Sequence, residues 1–439
     1  MKWYVTTEAN KWIEKNYAPD QTAADTGVQD TGLYDQTIDG FGGCFNELGF
    51  EALSQLPPQK KEAILDDLFL PEGDGLRLNF CRTPIGASDY ALNWYSYSPC
   101  KDDFKMEHFT IERDREYLLP YIQSARKRNP RLEMFASPWS PPEWMKFPAV
   151  YNYGKLIWTP ENLNAYALYF VKYIEAYAKE GIPIRQIHVQ NEPVSTQKFP
   201  SCIWTGDEFA EFIGKYLGPA FREHGLDTEI WLGTINGPET DHPRAYWSRH
   251  NDYASLVLHD KMAAPYISGV SYQWAGKYAV DKTHRDFPEY KLLQSENECG
   301  DSTNTWAYAR YINELFLHYL SHGVNGYVYW NMVLREGGES SWGWKQNSMI
   351  TIDPEKGEAV YQYEYYIMKH YARFIQKGAR RKELRGHWST NSVLFENPDQ
   401  SHVLVCANPF RREMHLKLDT GVGTYTFRLE PDSIHTMVF

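Results

Sequence analysis

The chain contains eight short runs rich in apolar or β-branched residues, and each run ends in small or polar residues. They span residues 38–44, 75–84, 132–138, 185–190, 228–234, 266–273, 290–295 and 326–333. Helix-length segments separate most of them, and strands that alternate with helices pair in parallel through right-handed crossovers. Eight such strands close a (β/α)8 TIM barrel, which is the predicted fold. The alternative is a six-stranded doubly wound sheet, but no G-x-G-x-x-G motif follows the first run.

The segments between the strands show the 3.6-residue apolar periodicity of amphipathic helices. One helix is predicted to begin at the Thr159-Pro160 start signal, and the apolar positions that follow continue to Ala178. Further helices are predicted over residues 60–70, 113–128, 207–224 and 306–322, the last ended by Gly323. This α/β pattern assigns residues 36–377 to the barrel.

Beyond about residue 378 the pattern changes to short alternating runs separated by Asn-Pro, Asp-Thr-Gly and Pro-Asp turn signals. These runs span residues 392–396, 402–406, 413–418 and 424–429. They predict a small antiparallel β-domain over residues 378–439. Residues 3–7 also have the pattern of a strand, which we expect to join that domain. Residues 19–35 are polar and rich in Asp and Gly, so residues 1–35 are predicted to be this strand and a connector.

Composition limits the possible partners. The chain has 45 Lys and Arg residues against 57 Asp and Glu residues, and its net charge of -12 disfavours nucleic acid, which requires a basic surface. No stretch approaches the roughly 18 apolar residues of a transmembrane helix, so no integral membrane association is expected. The N-terminal residues lack a signal-peptide pattern, which predicts a cytoplasmic protein, or a secreted one if a signal has been removed. Six scattered cysteines without a C-x-x-C pair predict neither a zinc site nor a disulfide framework.

Two predicted strands end in carboxylates. The fourth ends in Gln190-Asn191-Glu192-Pro193 and the seventh in Gln294-Ser295-Glu296-Asn297-Glu298. The carboxyl ends of barrel strands form the active site, and two carboxylates about 5 to 5.5 Å apart there can hydrolyse a glycosidic bond with retention. The alternative is that these Glu residues cap helices or form surface ion pairs. Position alone leaves Glu298 as an alternative to Glu296.

Other strand-end residues suit a sugar ligand. The Asn191 amide can bind a hydroxyl without adding charge, and Trp139 and Trp330 could stack on a sugar ring, although packing is the commoner role of a Trp. Arg82 could keep a nucleophilic carboxylate ionised while Asp89 accepts hydrogen bonds from hydroxyls, and a simple salt bridge between them is the alternative. Aromatic residues make up 15% of the chain, a content that suits such ligands as well as a core.

Other catalytic motifs are missing from the sequence. His318 and His322 are spaced i, i+4 but do not form H-E-x-x-H, and His188 within the fourth strand is expected to be a core residue. There is no G-x-S-x-G elbow and no P-loop. We therefore expect neither a metal nor a cofactor.

Taken in order, the motifs resemble glycoside hydrolase family 30, the glucosylceramidase family, through nearly the whole chain. The markers are Asp39-Gly40-Phe41-Gly42-Gly43, Arg82-Thr83-Pro84 through Asp89, Ala136-Ser137-Pro138-Trp139-Ser140, Asn191-Glu192-Pro193, Ser295-Glu296 and Tyr329-Trp330-Asn331. Each marker is short, but their order and spacing together are specific. The resemblance implies that Glu192 is the acid/base, that Glu296 rather than Glu298 is the nucleophile, and that the β-domain is a sandwich packed on the barrel. It also implies a sugar subsite lined by Asp89, Trp139, Asn191 and Trp330, with Arg82 behind the nucleophile.

Two positions depart from the glucosylceramidase pattern. Gln273-Trp274 stands where that enzyme has His-Trp after the sixth strand, and Phe199 stands where it has a Tyr shortly after the acid/base. We expect Gln273 and Trp274 to contact substrate. These changes leave the implied chemistry intact, but the aglycone preference does not carry over.

We therefore expect a retaining β-glycoside hydrolase that acts on a carbohydrate or glycoconjugate and releases a β-linked glucose-type residue by double displacement. The alternatives within the family are β-1,6-glucanase, β-xylosidase and β-fucosidase activities. The alternative from another class is a glycan-binding protein without catalysis.

Overall fold

The structure is a computed structural model in which residues 1–237, 253–421 and 423–439 are described. The strands are β1 (Lys2–Thr7), β2 (Ile13–Asn16), β3 (Thr26–Thr37), β4 (Gly40–Cys44), β5 (Phe80–Ile85), β6 (Glu133–Pro138), β7 (Lys146–Phe147), β8 (Lys155–Leu156), β9 (Gln186–His188), β10 (Glu229–Ile235), β11 (Ile267–Gln273), β12 (Lys291–Glu296), β13 (Val324–Asn331), β14 (Val333–Arg335), β15 (Ile350–Asp353), β16 (Glu358–Tyr361), β17 (Arg380–Arg385), β18 (Ser392–Glu396), β19 (His402–Asn408), β20 (Met414–Asp419), β21 (Thr424–Leu429) and β22 (Ser433–Val438). The α-helices are α1 (Glu47–Ser54), α2 (Pro58–Phe69), α3 (Leu118–Arg128), α4 (Pro160–Lys179), α5 (Gly206–Phe212), α6 (Gly218–Glu223), α7 (Tyr253–Leu258), α8 (Lys277–Asp286), α9 (Trp306–Ser321) and α10 (Tyr363–Ala372).

Eight parallel strands close the barrel in the order β10-β11-β12-β13-β4-β5-β6-β9. Each predicted strand corresponds to one of them, with ends that differ by a few residues. The largest shift is at β5, which begins at Phe80 instead of residue 75. The predicted TIM-barrel class is therefore confirmed, and its strand order brings the ends of β5, β6, β9 and β12 to one face.

The predicted helices are present, with local differences. α4 begins where expected, because the Thr159 side chain accepts a hydrogen bond from the Asn162 backbone N–H. The helix predicted over 113–128 starts as a 3-10 turn, and α3 begins only at Leu118. The helix predicted over 207–224 is divided into α5, a π-helical segment (Ile213–Leu217) and α6.

An apolar layer fills the barrel below the predicted active site. It consists of Phe80, Phe135, Trp231, Leu293 and Val328. The His188 ring lies within this layer, with ring-centroid distances of 4.4 Å to Phe135 and 5.2 Å to Trp231. Because side chains alternate along a strand, Arg82 and Ser137 point inward directly above this floor.

The second large sheet has nine strands in the order β2-β1-β22-β19-β18-β17-β3-β20-β21, and its described strand pairs are antiparallel except for β20 with β3. Trp3 on β1 lies with its ring centroid 5.8 Å from that of Phe427 on β21, although these strands lie near opposite ends of the order. The sheet therefore folds over itself around a common core, as expected for a sandwich-like domain built from the N-terminal strand and the C-terminal segment.

The predicted connector over residues 19–35 is wrong for its second half. Residues Thr26–Thr37 form β3, a 12-residue strand that pairs with β17 and β20 in this sheet. The polar composition concealed the strand, because one of its buried residues is Asp30, which forms a 2.7 Å ion pair with Lys382. A buried carboxylate in a strand is tolerated when it is paired.

An insertion follows the last barrel strand. β14, β15 and β16 form a small three-stranded sheet, and the β14–β15 loop, residues 336–349, lies between two of its strands. Sequence analysis did not identify this unit. Among the described residues, no helix is long and apolar enough to cross a membrane.

Candidate active site

Glu192 and Glu296 both lie at the carboxyl-terminal face of the barrel. Glu296 is the last residue of β12, and Glu192 lies four residues beyond the end of β9. Glu192 has a φ of 48°, in the left-handed region that non-glycine residues rarely adopt. Its N–H donates to the Thr234 carbonyl at 3.1 Å, and its carbonyl accepts from the Ser195 N–H at 2.9 Å. These two bonds hold the residue in its strained conformation, a kind of conformation that clusters at active sites.

Arg82 is the central cation of the site and is fully buried. Its Nη1 forms an ion pair with Glu296 Oε2, and its Nη2 donates to Asn191 Oδ1 at 2.6 Å. Ser137 Oγ accepts from both Nε and Nη2, at 3.0 Å and 2.8 Å. Arg82 thus connects the nucleophile candidate to the residue that precedes Glu192.

Asn191 and Gln273 have fixed amide orientations. Asn191 Oδ1 accepts from Arg82 Nη2, from Thr234 Oγ1 at 3.0 Å and from Gln273 Nε2 at 2.8 Å. Gln273 Nε2 also donates to Glu296 Oε2 at 3.0 Å. The Asn191 NH2 group is therefore the part of its amide available as a donor to a ligand. Gln273 Oε1 is buried and has no hydrogen-bond partner among the described residues.

The two carboxylates differ in their electrostatic surroundings. Burial raises the pKa of Glu192 well above its usual value, and the charges on Glu296 and Asp89 raise it further. Glu192 Oε2 is buried without a partner in the described part of the chain. The pKa of Glu296 is raised as well, because burial outweighs the charge and hydrogen bond of Arg82, which lower it. The contact with Arg82 favours the ionised form of Glu296 relative to that of Glu192.

Asp89 also lies in this site, on the loop after β5. Its Oδ2 accepts from Gln346 Nε2 at 3.5 Å, while its Oδ1 is buried with no partner in the described residues. Burial and the Glu296 charge raise the pKa of Asp89 to about 8. Gln346 Oε1 in turn accepts from Trp330 Nε1 and from Asn331 Nδ2, each at 2.8 Å. Gln346, which sequence analysis missed, therefore orients both Asp89 and Trp330.

The predicted aromatic wall is buried beneath the site. Trp139 and Trp330 are each 1% exposed, and their ring centroids lie 5.3 Å apart. The Arg82 guanidinium carbon is 4.4 Å from the Trp139 centroid and 5.6 Å from that of Trp330, within cation–π range. Trp274 is half-buried, and the Lys277 ammonium lies 5.3 Å from its ring centroid. The first two rings thus support Arg82, and only Trp274 exposes a substantial part of its surface.

Glu298 and the histidines singled out in the sequence lie outside the cluster formed by Arg82, Glu192 and Glu296. Glu298 Oε2 accepts from the Gly300 N–H at 3.1 Å, within its own loop. His188 bonds Ser271 Oγ at 2.7 Å in the barrel core, and burial lowers its pKa well below the usual value. His318 and His322 bond backbone carbonyls at 3.0 Å and 2.6 Å. Within residues 1–237, 253–421 and 423–439, no group of three or more His, Cys, Asp or Glu side chains is arranged to hold a metal ion.

A parallel barrel with two carboxylates at its carboxyl-terminal face, one of them held by an arginine, and tryptophans beside them is typical of a glycoside hydrolase. Residues 38–375 match the family model described as the glycosyl hydrolase family 30 TIM-barrel domain. The chain belongs to glycosyl hydrolase family 30 and is an O-glycosyl hydrolase.

The similar proteins include a glucosylceramidase and a glucanase. The lysosomal acid glucosylceramidase of Mus musculus is 28% identical over 433 residues, covering 92% of this chain and 81% of the relative. The endo-1,6-beta-D-glucanase of Neurospora crassa is 27% identical over 408 residues, covering 88% of this chain and 82% of the relative. Among solved structures, SrfJ from Salmonella typhimurium has a TM-score of 0.86 at 26% identity, covering 100% of this chain and 99% of that one.

Proposed function

We propose that this enzyme releases a β-linked glucose-type residue by double displacement, with Glu296 as the nucleophile and Glu192 as the acid/base. The observation that carries the proposal is the asymmetry between the two carboxylates. Glu296 is paired with Arg82 and accepts from Gln273, so its charged form is favoured. Glu192 is half-buried, and its buried Oε2 has no partner among the described residues, so its neutral form is favoured.

In the first step, a Glu296 carboxylate oxygen attacks the anomeric carbon and forms a glycosyl ester. Glu192 donates its proton to the glycosidic oxygen as the bond to the aglycone breaks. In the second step, the Glu192 carboxylate accepts a proton from water, and the water oxygen attacks the anomeric carbon. Glu296 then leaves as a carboxylate, and the free sugar retains its anomeric configuration.

The change of role by Glu192 follows from the charge on its neighbour. In the free enzyme the negative charge on Glu296 raises the pKa of Glu192. Ester formation removes that charge, so the pKa of Glu192 falls and its carboxylate becomes available as a base. The same residue can thus act as acid in one step and as base in the next.

The unpartnered polar atoms of the site suit a ligand with several hydroxyl groups. Gln273 Oε1 and Asp89 Oδ1 are buried acceptors without donors among the described residues. Sugar hydroxyls donate to such acceptors and accept from the Asn191 NH2 group. We assign substrate contacts to Asp89, Asn191, Gln273 and Trp274, while Arg82, Trp139 and Trp330 form the base of the subsite.

β-1,6-Glucanase activity is the second candidate, favoured by an aromatic ledge formed by Phe199, Trp342 and Trp344. The Trp342 ring centroid lies 5.2 Å from that of Phe199 and 5.2 Å from that of Trp344. Trp342 Nε1 donates to the Asp89 carbonyl at 3.1 Å, which fixes the ledge beside the site, and Trp344 is 47% exposed. Rigid aromatic faces suit a sugar ring as aglycone.

Trapping with 2-deoxy-2-fluoro-β-glucosyl fluoride, followed by peptide mapping, tests the nucleophile. We expect the ester on Glu296. Labelling of Glu298, or no labelling of an enzyme that turns over a β-glucoside, would contradict the assignment. Glu298→Gln is the matched control, and it should still be labelled.

A substrate panel then tests the sugar specificity. Aryl β-glucoside, β-xyloside and β-fucoside are compared with β-1,6-glucan and glucosylceramide under one set of conditions. Faster turnover of the xyloside or fucoside would contradict the glucose assignment, and turnover of β-1,6-glucan but not of the lipid would favour the second candidate. Binding without any turnover would indicate a glycan-binding protein.

A further inference from the structure

A cavity of about 680 Å³ lies at the opposite end of the barrel from Glu192 and Glu296. Its walls come from the residues just before β5 and β6 and from the segment that follows α10. The amino-terminal ends of barrel strands lie on the face away from the active site, so this cavity is separate from it. We refer to it as the basic cavity, after its charged lining residues Arg77, Arg126, Arg131, Glu133, Arg373 and Lys377.

The charge of this lining is opposite to that of the chain. Five cations and one carboxylate line the cavity, whereas the whole chain carries a net charge of -12. Glu133 is already paired with Lys377 at 2.6 Å. From the rim, Asp74 pairs with Arg373 at 2.9 Å, and Glu72 and Asp74 lie near Arg77. The local positive charge is therefore only partly neutralised.

The guanidinium groups are positioned by backbone carbonyls. Arg77 Nη2 donates to the Gly73 carbonyl at 3.1 Å, and Arg126 Nη1 donates to the Leu132 carbonyl at 2.8 Å. The described residues give Arg77, Arg126 and Arg131 no ion-pair contact within 4.0 Å. Carbonyl contacts orient the Arg77 and Arg126 guanidinium groups without neutralising them, so their charge is available to a ligand.

Two buried donors in this cavity lack acceptors. Nε of Arg77 and Nε of Arg373 have no hydrogen-bond partner among the described residues. Burial, together with the charge of Arg373, lowers the pKa of Arg77. An anion in the cavity would reduce the repulsion between these like charges.

We propose that the basic cavity binds a small phosphate-class anion, either free phosphate or the phosphate of a monoester. Arginine presents planar pairs of N–H donors that match the oxygens of phosphate. The volume is within the range of small-molecule sites, so a phosphomonoester with an organic group fits as well as the bare ion.

The position of the basic cavity predicts how anion binding affects the stability of the folded protein. Arg373 and Lys377 belong to the segment that leads from α10 to β17, the first strand that the chain adds to the nine-stranded sheet after the barrel. Arg77 and Arg131 precede barrel strands β5 and β6. An anion held by both sets links the barrel to that segment, so binding should stabilise the folded protein.

The test is titration of the full chain with sodium phosphate at constant ionic strength, followed by calorimetry and by thermal unfolding. We expect saturable binding and a Tm that rises with phosphate concentration. A parallel titration with phenyl phosphate distinguishes free phosphate from a phosphomonoester as the ligand. Tighter binding of the ester indicates a phosphomonoester. If sodium chloride raises the Tm equally, or if neither phosphate probe binds with saturation, the proposal is wrong.

The double variant Arg126→Gln/Arg131→Gln should weaken phosphate binding at least about tenfold, since two charged donors are lost. The matched control is Arg115→Gln/Arg285→Gln, which removes two exposed arginines that form surface ion pairs elsewhere. Hydrolysis of an aryl glycoside in phosphate-free buffer verifies that both variants are folded. Equal phosphate affinity in the double variant and its control overturns the proposal. The proposal does not depend on the substrate of the active site.

Discussion

Gln273 and Glu296 are joined by a 3.0 Å hydrogen bond from the amide nitrogen to the carboxylate oxygen Oε2. The same oxygen accepts a hydrogen bond from Arg82 Nη1. The Gln273 amide nitrogen lies 2.8 Å from Asn191 Oδ1, one residue before Glu192. One uncharged side chain therefore connects the two strand ends that carry the carboxylates. Because an amide does not titrate, this connection persists across the working pH range.

Removing this connection should slow the reaction more than it weakens binding. Gln273→Met keeps the length of the side chain but loses the donor to Glu296 and the Oε1 acceptor proposed to bind substrate. We expect kcat to fall about 100-fold, the effect of losing a positioned polar group, and KM to rise by a smaller factor. Steady-state kinetics on an aryl glucoside measure it. Gln376→Met, which alters a surface amide on the other face, should retain full activity. A variant that loses only stability, with kcat intact, would contradict this role.

Loss of the nucleophile should be nearly complete. In Glu296→Gln the Arg82 charge remains but no carboxylate can form the ester, so kcat should fall by about 10⁴-fold or more. Glu298→Gln changes a carboxylate two residues away that accepts from the Gly300 N–H. This variant should retain activity within about threefold, since no step uses Glu298. Similar losses in the two variants would disprove the assignment.

The effect of losing the acid should depend on the leaving group. Glu192→Gln cannot protonate the glycosidic oxygen, so kcat/KM for an alkyl glucoside should fall about 10³-fold. A dinitrophenyl glucoside needs no protonation, and its kcat/KM should change far less. Measuring the two substrates side by side makes each the control of the other. Equal losses would show that Glu192 is not the acid.

The pH profile follows from the directions of the two pKa shifts. Glu192 must be protonated in the free enzyme, and its pKa is raised, so kcat/KM is full below that pKa and is lost as pH rises through it. Glu296 must be ionised, so activity is also lost as pH falls through its pKa. The expected profile is a bell. The dinitrophenyl glucoside needs no protonation, so with it the basic limb should be absent from both wild type and Glu192→Gln, while the acidic limb stays. A basic limb that persists for the alkyl glucoside in Glu192→Gln would show that another group, such as Asp89, causes it.

Gly42 should be essential for closing the barrel. A Cβ added there would lie 1.8 Å from the Phe80 carbonyl oxygen on the neighbouring strand β5, and backbone cannot move aside as a side chain can. We expect Gly42→Ala to lower the free energy of unfolding by about 3 kcal/mol, the upper end for overpacking. Gly423→Ala is the control, because its nearest neighbour would be a Tyr425 ring atom at 3.7 Å. Denaturant unfolding of both variants measures the difference.

The barrel could be predicted from the sequence because the apolar runs and the turn signals that define it are local. The placement of Glu192 and Glu296 could be predicted because strand ends of a parallel barrel meet at one face. The strand β3 could not be predicted in this way, because its buried Asp30 is stabilised by Lys382, more than 300 residues away in sequence. Gln346 was missed for a related reason, since its contacts with Asp89 and Trp330 depend on a loop without periodicity.

Exposure was the other quantity that the sequence could not supply. Trp139 and Trp330 were expected to form a stacking wall, yet both are almost completely buried against Arg82. Their positions at strand ends were predicted, but how deeply a ring lies depends on the loops that cover it. The β14–β15 loop provides part of that cover through Gln346.

The pairing of β1 with β22 also bears on biosynthesis. Lys2 lies opposite Val438, so β1 completes its pairing with a strand that lies more than 400 residues further along the chain. Domains generally fold as their segments emerge, but here one edge of β1 stays open while the whole barrel is translated. An exposed strand edge can pair with other chains. Chains in which β22 has not yet been made should therefore be the most prone to association.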